Sequence, residues 1–495
     1  MSKAFSGGIR IKKRQITEEL QSEVSFSSVE YTLSTRATLT VGEGQTVSRG
    51  AVLCHSDREN AATVCGVSGR VNTISENDDG SIRVTVSAEE LDSYSVAPAP
   101  VSPLDKPLKD CTSEELAEML LEKGVRPISL GAKSPKLLTV NCGGSQTDGL
   151  SPSLLKLYPK EIVGGAKILM KLYGVRKCIF AIPDTALSSA QRVEERLPSG
   201  SSFIRIVIYK DKYPALPNLI IRATSGIEIN ARKRPENAGY PVVDPALCLQ
   251  VYRALAEGEY IYGDYLFITD TDGAARLCAV PYGAKISEAL SVPDGFVTVT
   301  GEKILASKTD SDTVMTYGMR SVVTVRDKTY PARERGDCMG CGRCDSVCPA
   351  MISPRSLYSR LVKGRSTRNQ RDELLSCFEC GCCSAVCPSR LPLYETILSG
   401  REIALSQPDV TEDVAEEEFA DTVAEAENVP CTEAAEEISE ESAEEITEET
   451  TEEAEDNSDN ADEPFDIVGK SEQTDTQEAE AVDLNEIFKE DGENE

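Results

Sequence analysis

The stretch that decides the chemistry of this chain is Cys338-Met-Gly-Cys341-Gly-Arg-Cys344-Asp-Ser-Val-Cys348-Pro349. The same spacing returns 39 residues later as Cys377-Phe-Glu-Cys380-Gly-Cys382-Cys383-Ser-Ala-Val-Cys387-Pro388. These two runs hold 9 of the 17 cysteines, whereas the other eight are scattered singly. The scattered thiols are most simply small buried side chains. The paired runs therefore need a separate chemical explanation.

The spacing C-x2-C-x2-C-x3-C-P is typical of proteins that hold two [4Fe–4S] clusters. Three thiolates of one run bind three irons, and the last cysteine of the opposite run supplies the fourth ligand. A proline then turns the chain away after each such ligand. We therefore predict one cluster on Cys338, Cys341, Cys344 and Cys387, and a second cluster on Cys377, Cys380, Cys383 and Cys348.

Several alternatives remain open around these runs. Zinc also binds paired C-x2-C units, but a structural zinc needs four ligands and the two runs supply eight; disulfides are disfavoured in a reducing cytosol. Cys382 is left over, and we interpret it as a packed thiol beside the cluster or a substitute ligand for Cys383. The basic segment from Ser353 to Ser376 is either a solvated helical face or a docking patch for an acidic redox partner. No residue of this region suggests a catalytic role.

Composition limits the possible functions. The net charge of -31 comes from residues 409–495, which hold 36 acidic residues against Lys470 and Lys489. The rest of the chain is nearly neutral, which argues against binding to nucleic acid. With His55 as the single histidine, a mechanism based on several imidazoles is excluded. No apolar stretch is long enough to span a membrane and no secretory signal precedes the body, so we expect a cytoplasmic protein.

The strand and helix patterns predict a multidomain α/β and α+β chain. Residues 38–53 and 66–74 alternate short β runs with glycine turns, as in carrier-like barrel-sandwich domains, but no lysine lies between 54 and 69 for modification. Alternating strands and helices then predict a Rossmann-like parallel sheet, and later short strands predict a β-grasp-like domain. We expect a barrel-sandwich (lipoyl-like) domain at 1–105, a Rossmann-like domain at 106–243, a β-grasp-like (SLBB-type) domain at 244–330, a two-cluster ferredoxin-type domain at 331–405 and a disordered acidic tail at 406–495.

Individual elements are predicted within these domains. A capping box from Thr112 to Glu115 starts a helix over 113–123, and Asp244 with Pro245 starts another that runs to about Glu257. A nucleotide site would need a glycine-rich strand-to-helix turn, but the loops at Gly131 and at Gly143–Gly144 match neither G-x-G-x-x-G nor a P-loop. Gly164–Gly165 is expected to permit close helix packing. The other elements are strands 137–141, 178–182, 204–209, 266–269, 277–280, 296–300 and 322–325, helices 160–173 and 186–197, and a short helix near 286–290.

With both cysteine runs placed, the sequence resembles the C subunit of the Rnf electron-transport complex, the membrane-bound ferredoxin:NAD+ oxidoreductase family, over about residues 4–405. The resemblance rests on Phe5-Ser-Gly-Gly-Ile9, on Cys341-Gly-Arg-Cys344 and on Glu379-Cys380-Gly-Cys382-Cys383-Ser384, where the additional Cys382 is expected. It implies an electron-transfer subunit on the inner face of the cell membrane. Other Rnf-type membrane subunits would hold it there, and ferredoxin-like proteins would be its redox partners.

The resemblance also implies FMN and NADH sites in the Rossmann-like domain. The family's G-x-G-G-A-G-F-P-T and N-G-A-E-C-E-P loops are replaced here by residues 128–135 and 141–147, which lack most of the glycines and the acidic residues. A backbone without small residues cannot approach a flavin closely, so FMN and NADH binding is in question. Two other functions stay open: a soluble flavoprotein resembling the cobalamin reductase of diol-using microcompartments, and a non-catalytic assembly subunit that keeps its clusters for structure.

Overall fold

The computed structural model describes most of the first 406 residues: 4–10, 24–56, 60–89, 104–126, 135–143, 149–197, 203–271, 274–290, 292–300, 304–305, 307–310, 312–326, 336–363 and 368–406. The elements below belong to one compact unit that extends to Leu405. The predicted acidic tail from residue 407 onward lies outside the described residues, as do Gly131 and Gly144.

The first part of the chain forms two small antiparallel sheets, one of four strands and one of two. Alternate valines point into their common core, where Val71, Val84 and Val86 are fully buried. The predicted glycine turns are confirmed at Gly44 and Gly50, whose φ angles are 78° and 89°. The strands are β1 Ser28–Leu33, β2 Thr46–Val47, β3 Val52–Cys54, β4 Thr63–Val64, β5 Gly69–Glu76 and β6 Ile82–Ala88, with sheet order β1-β6-β5-β2 and a separate β3–β4 pair.

The second part is a parallel four-stranded sheet with helices, as the alternating pattern predicted. All neighbouring strands run parallel, so their carboxyl ends meet at one edge of the sheet. The predicted capping box is present, since the Glu115 amide donates to the Thr112 hydroxyl over 3.1 Å. The elements are α1 Ser113–Glu122, β7 Leu138–Asn141, α2 Leu150–Leu157, α3 Pro159–Leu172, β8 Cys178–Pro183, α4 Leu187–Glu194, β9 Ile204–Tyr209, α5 Pro217–Ser225, β10 Val242–Val243 and α6 Pro245–Tyr252, with sheet order β10-β7-β8-β9.

Close contact between α3 and α6 holds this part together. A Cβ atom on Gly165 would lie 1.8 Å from the Cys248 carbonyl oxygen, so the prediction that this glycine permits close packing is confirmed. The helix that starts at Asp244 reaches Glu257 and ends at Gly258, as predicted. Its α-helical part ends at Tyr252, its last turn, Arg253–Glu257, is π-helical, and Gly258 adopts a φ of 78°.

The third part is a five-stranded mixed sheet. Arg320 precedes its central strand and pairs with two carboxylates, donating to Asp244 over 2.7 Å and to the buried Asp264. The short helix predicted near 286–290 is a single 3-10 turn, Ile286–Glu288. The strands are β11 Gly263–Thr269, β12 Ala275–Pro281, β13 Phe296–Thr300, β14 Ser307–Thr309 and β15 Ser321–Arg326, in the order β12-β11-β15-β13-β14.

The fourth part carries both cysteine runs and is helical. Leu357, Leu374 and Ile397 form its small apolar core. Because the two runs share one spacing, the short helices fall at equivalent places in each run. The helices are α7 Arg343–Ser346, α8 Pro354–Val362, α9 Arg368–Leu375, α10 Cys382–Ala385 and α11 Leu393–Ser406.

Candidate metal centres in the cysteine-rich module

The two cysteine runs fold into nearly the same backbone shape. Gly342 and Gly381 stand one residue after the second cysteine of each run, and both adopt a left-handed conformation, with φ of 72° and 71°. Each then starts a four-residue helix, α7 or α10. Glycine is the residue that enters this conformation without steric cost, so the Cys-Gly dipeptide sets where the chain turns.

A second left-handed position follows the last cysteine of each run. Met351 has a φ of 56° and Arg390 a φ of 51°, and each lies three residues after that cysteine. The amides of these two residues donate to the carbonyl oxygens of Cys348 and Cys387 over 3.2 and 3.0 Å. Residues with a Cβ adopt such a conformation only where their surroundings enforce it. The Cys-Pro turns are therefore fixed features of both loops.

The first predicted set of cysteines lines one cavity. This cavity of about 550 Å³ has Cys338, Cys341, Cys344 and Cys387 in its wall. Three of these residues come from the first run, whereas Cys387 ends the second run. Cys338 and Cys341 are exposed to solvent and Cys344 is buried. The structure thus brings together the four residues that the spacing assigned to one cluster, although the binding of a cluster stays a prediction.

The second predicted set lines a separate space. Cys377, Cys380 and Cys383 from the second run meet Cys348 from the first, around a free volume of about 20 Å³. The crossing of Cys348 and Cys387 between the runs is therefore reciprocal. Four thiols are the donor set that a [4Fe–4S] cluster requires.

A single-ion site receives no support from the arrangement of these thiols. Within the described ranges, no group of three or more His, Cys, Asp or Glu side chains is placed to hold one metal ion. In a cubane each thiolate binds a different iron, so its four sulfur atoms stand further apart than the ligands of a single ion. The assignment of eight cysteines to two clusters remains a prediction, and zinc remains its alternative.

Burial controls the protonation of these thiols. It raises the pKa of Cys344 and Cys377 to about 11 and that of Cys383 to about 12. Cys380 differs, because a hydrogen bond with the Cys382 thiol lowers its pKa. Since iron binds the thiolate, metal loading must release a proton from each raised thiol.

Cys382 is a buried neighbour of the second set. Its side chain is 1% exposed and packs with Ile9, Tyr213 and Val347. Its hydrogen bond with Cys380 raises its own pKa, so it stays a neutral thiol beside the predicted ligands. The burial of Cys382 agrees with a packed thiol, and a hydrogen bond of 3.9 Å from this thiol to the Tyr213 carbonyl oxygen adds a contact that the spacing alone did not indicate. Its place beside a cluster stays a prediction.

A segment near the N-terminus holds the second cysteine set against the parallel sheet. The Gly8 amide donates to the Val347 carbonyl over 2.9 Å, and Ile9 exchanges two backbone hydrogen bonds of 2.8 Å with Tyr213. Gly7 lies so close that a Cβ there would be 2.6 Å from the Cys348 carbonyl oxygen. We call Phe5–Ile9 together with Tyr213 the clamp.

The clamp was not foreseen as part of the site. The sequence singled out Phe5–Ile9 only for its resemblance to the Rnf family, and no pattern pointed to Tyr213. The Tyr213 hydroxyl donates to the Cys380 carbonyl over 2.7 Å, which ties the segment after β9 to a predicted ligand loop. The paired glycines at 7 and 8 were the available indication, because a Gly-Gly pair often marks a close backbone approach.

Aromatic side chains fill the edge of the parallel sheet where nucleotides bind in related folds. Tyr209 ends β9 and is fully buried, packed with Phe5 and with Phe378 from the second cysteine run. A Cβ on Gly143 would lie 1.7 Å from the Tyr209 hydroxyl. That hydroxyl has no hydrogen-bond partner among the residues described. The described part of this crevice therefore does not fit a flavin or dinucleotide, and Gly131 and Gly144 lie outside it.

Comparison with known proteins agrees with the resemblance seen in the cysteine runs. The chain is 24% identical over 398 residues to the C subunit of the ion-translocating oxidoreductase complex of Buchnera aphidicola, covering 74% of this chain and 81% of that protein. It is 22% identical over 323 residues to the C subunit of the Na+-translocating ferredoxin:NAD+ oxidoreductase complex of Acetobacterium woodii, covering 59% and 70%. This chain is a relative of the Rnf-type C subunits. The predicted resemblance is confirmed.

No protein-family model matches this relative of the Rnf-type C subunits. A solved structure, the NAD+-reducing [NiFe]-hydrogenase in the H2-reduced state, is similar with a TM-score of 0.39 and 13% identity, over 66% of this chain and 69% of that one. None of the described helices combines the length and apolarity needed to cross a bilayer.

Proposed function

We propose that this chain is an electron-transfer subunit of an Rnf-type ferredoxin:NAD+ oxidoreductase, with a [4Fe–4S] cluster at each of the two cysteine sets. When bound, such clusters take up and release single electrons. The observation that carries the proposal is the reciprocal crossing of Cys348 and Cys387, which sorts eight cysteines into two sets of four. The names of the relatives support the assignment to this class of complex.

The residues around the two sets have distinct tasks in this proposal. Backbone turns at Gly342 and Gly381 orient the thiols, and the clamp holds the second set on the α/β part. The Cys382 thiol donates to the Tyr213 carbonyl oxygen over 3.9 Å and packs against the predicted ligand Cys380. The surroundings of a ligand sulfur are one of the factors that set a cluster's reduction potential. The chain would then relay electrons without itself transforming an organic substrate.

The wider organisation belongs to the same proposal. We assign the first β part to a barrel-sandwich domain (1–105), the parallel sheet to a Rossmann-like domain (106–243), the mixed sheet to an SLBB-type β-grasp domain (244–330) and the helical part to a ferredoxin-type domain (331–405). Other Rnf-type subunits would bind the chain at the cytoplasmic face of the membrane, and residues 406–495 would form an acidic tail. Ferredoxin-like carriers would be its redox partners.

Cluster reconstitution with ligand variants tests the relay. The full chain, loaded anaerobically, should contain close to eight irons and eight sulfides and give two reduced-cluster signals by electron paramagnetic resonance (EPR). Cys387→Ser should remove the signal of the first set and keep the second, whereas Cys348→Ser should do the reverse. Cys382→Ser is the matched control and should retain both signals. Zinc in place of iron, or loss of the same signal in both ligand variants, would overturn the assignment.

The same preparation tests the absence of a flavin. Because Tyr209 occupies the space above Gly143, we propose a relay without FMN. Titration of FMN into the cluster-loaded chain should leave flavin fluorescence unquenched, and NADH should not bleach the cluster absorbance. Stoichiometric flavin binding would restore the flavoprotein alternative.

A further inference from the structure

The two cysteine sets differ in their access to solvent. The first set lies at the surface, where Cys338 and Cys341 are exposed, whereas the second is enclosed by apolar residues such as Ile352, Phe378 and Ile397. Electron transfer between proteins slows steeply as the distance between the centres grows. A carrier from solution therefore reaches the first set more readily than the second.

The wall of the first cavity is cationic. Arg355, Arg360 and Lys363 line it, and within the described part of the chain no aspartate or glutamate does so. Arg355 pairs with Asp345 over 3.5 Å, but no ion pair of Arg360 or Lys363 is found among the described residues. The sequence from 346 to 371 contains no acidic residue at all. The guanidinium of Arg360 and the ammonium of Lys363 thus lie in the wall of the cavity without an ion-pair partner among the described residues.

Exposed apolar side chains accompany these charges. Met339 is 72% exposed and Val362 is 63% exposed, and both line the same cavity. Protein interfaces combine an apolar centre with a charged rim, and methionine adapts readily to a partner's shape. The negative charge of the chain lies in residues 409–495, and the rest of the chain is almost neutral, so the cavity wall carries a local positive charge on a body with little net charge. We call Met339, Arg360, Val362 and Lys363 the cationic face.

We propose that the cationic face docks an acidic one-electron carrier protein beside the first cysteine set. This inference rests on the proposed relay function and adds the place and chemistry of the partner. Opposite charges steer such a carrier to the face, and Met339 and Val362 supply the apolar contact. A nucleic acid would need a more extensive basic surface than these few charges provide.

Binding of an oxidised carrier tests the face without any electron transfer. The probe is an acidic [2Fe–2S] ferredoxin, titrated calorimetrically into the cluster-loaded full chain at low and at high salt. Arg360→Glu combined with Lys363→Glu should raise the dissociation constant by about tenfold or more at low salt, and the difference should shrink at high salt. Arg360→Lys combined with Lys363→Arg should bind like the parent chain.

A charge-matched control variant distinguishes an effect of the cationic face from an effect of the overall change in net charge. Lys167 lies on α3 and Arg205 on β9, and both are exposed. Lys167→Glu combined with Arg205→Glu should change the dissociation constant less than twofold. Equal weakening in both double variants, affinity independent of salt, or no binding by the parent chain would overturn the docking proposal.

Failure of the docking proposal can be distinguished from failure of the relay proposal. Iron content and EPR signals should be unchanged in both double variants, since none of the four residues belongs to the predicted ligand sets. A chain that lacks iron but binds the ferredoxin through Arg360 and Lys363 would refute the relay and not the docking face. Salt-sensitive self-association abolished by the same reversals would show that a second copy, not a carrier, occupies the face.

Discussion

The Tyr213 hydroxyl donates a hydrogen bond of 2.7 Å to the carbonyl oxygen of Cys380. The bond joins the segment after β9, an edge strand of the parallel sheet, to a loop that carries a predicted cluster ligand. On its other side, Tyr213 pairs with Ile9 through backbone hydrogen bonds. One residue therefore connects the N-terminal segment, the sheet and the second cysteine set.

Tyr213→Phe should loosen the second cysteine loop while keeping the aromatic ring. The loss of one buried hydrogen bond should lower the free energy of unfolding by about 1 kcal/mol. Because the bonded carbonyl belongs to a predicted ligand, the reduction potential of the second cluster should shift and that of the first should not. EPR-monitored redox titration measures both potentials.

Tyr252→Phe provides the comparison for this variant, since no hydrogen bond of the Tyr252 hydroxyl is found within the described residues. It should leave both potentials unchanged. Equal shifts of the two potentials in Tyr213→Phe would contradict a local role for the hydroxyl.

A comparison of Gly7→Ala with Gly174→Ala separates the effect of the close backbone contact in the clamp from the effect of a left-handed φ angle. Both glycines are left-handed, with φ of 66° and 65°, but a Cβ on Gly7 would meet the Cys348 carbonyl at 2.6 Å, whereas Gly174 has open space. Gly174→Ala should cost about 1 kcal/mol from backbone strain alone. Gly7→Ala should cost more and should also reduce iron loading of the second set. Urea denaturation and iron analysis measure the two effects, and equal costs would argue against the clamp.

Tyr209→Phe should be neutral or stabilising by up to about 1 kcal/mol. The hydroxyl is buried without a hydrogen-bond partner among the described residues, so its removal relieves a desolvation cost and breaks no described bond. Thermal unfolding of the full chain measures the change. A clear loss of stability would mean that the hydroxyl has a partner such as a bound water.

Arg320→Ala should destabilise the protein by about 3 kcal/mol or more. Arg320 compensates Asp264, which is buried at 6% exposure, and also pairs with Asp244 at the start of α6. Removal of one partner of a buried ion pair leaves an uncompensated charge. Burial already raises the pKa of Asp264 above its ordinary value, so the variant should regain stability as the pH falls and this carboxyl becomes protonated. Chemical denaturation at several pH values measures this, and a cost independent of pH would contradict the mechanism.

Local patterns predicted much of this molecule. The capping box at Thr112, the strand at Cys178–Pro183 and the close contact at Gly165 follow from neighbours in sequence or from residue size, and the structure confirms them. The grouping of the cysteines around two spaces was also predictable, because the spacing C-x2-C-x2-C-x3-C-P is typical of two-cluster proteins, whereas their role as ligands stays a prediction. The helices Leu150–Leu157 and Pro217–Ser225 were missed, since each is short and contains proline or β-branched residues that weaken a helical pattern.

The sequence patterns did not predict which residues far apart in the chain come into contact. Nothing local to Tyr213 or Phe5 indicates that they meet residues more than 160 positions away. The filling of the sheet edge by Tyr209 was likewise hidden, because a tyrosine at the end of a strand is compatible with an open crevice or a closed one. The altered glycine loops gave a reason to question flavin binding, and the packing of Tyr209 against Gly143 supports the proposal of a relay without FMN.

Cys348 and Cys387 each lie with the three other predicted ligands of the opposite run, and this crossing links the two runs. If each site holds its cluster, two sets of iron–sulfur bonds join the segment before α8 to the segment after α9, independently of the peptide chain between them. A protease cut between those helices would then leave both fragments fastened to each other, and they would separate only after the metal was stripped. The inorganic cores would thus serve as cross-links that need no disulfide.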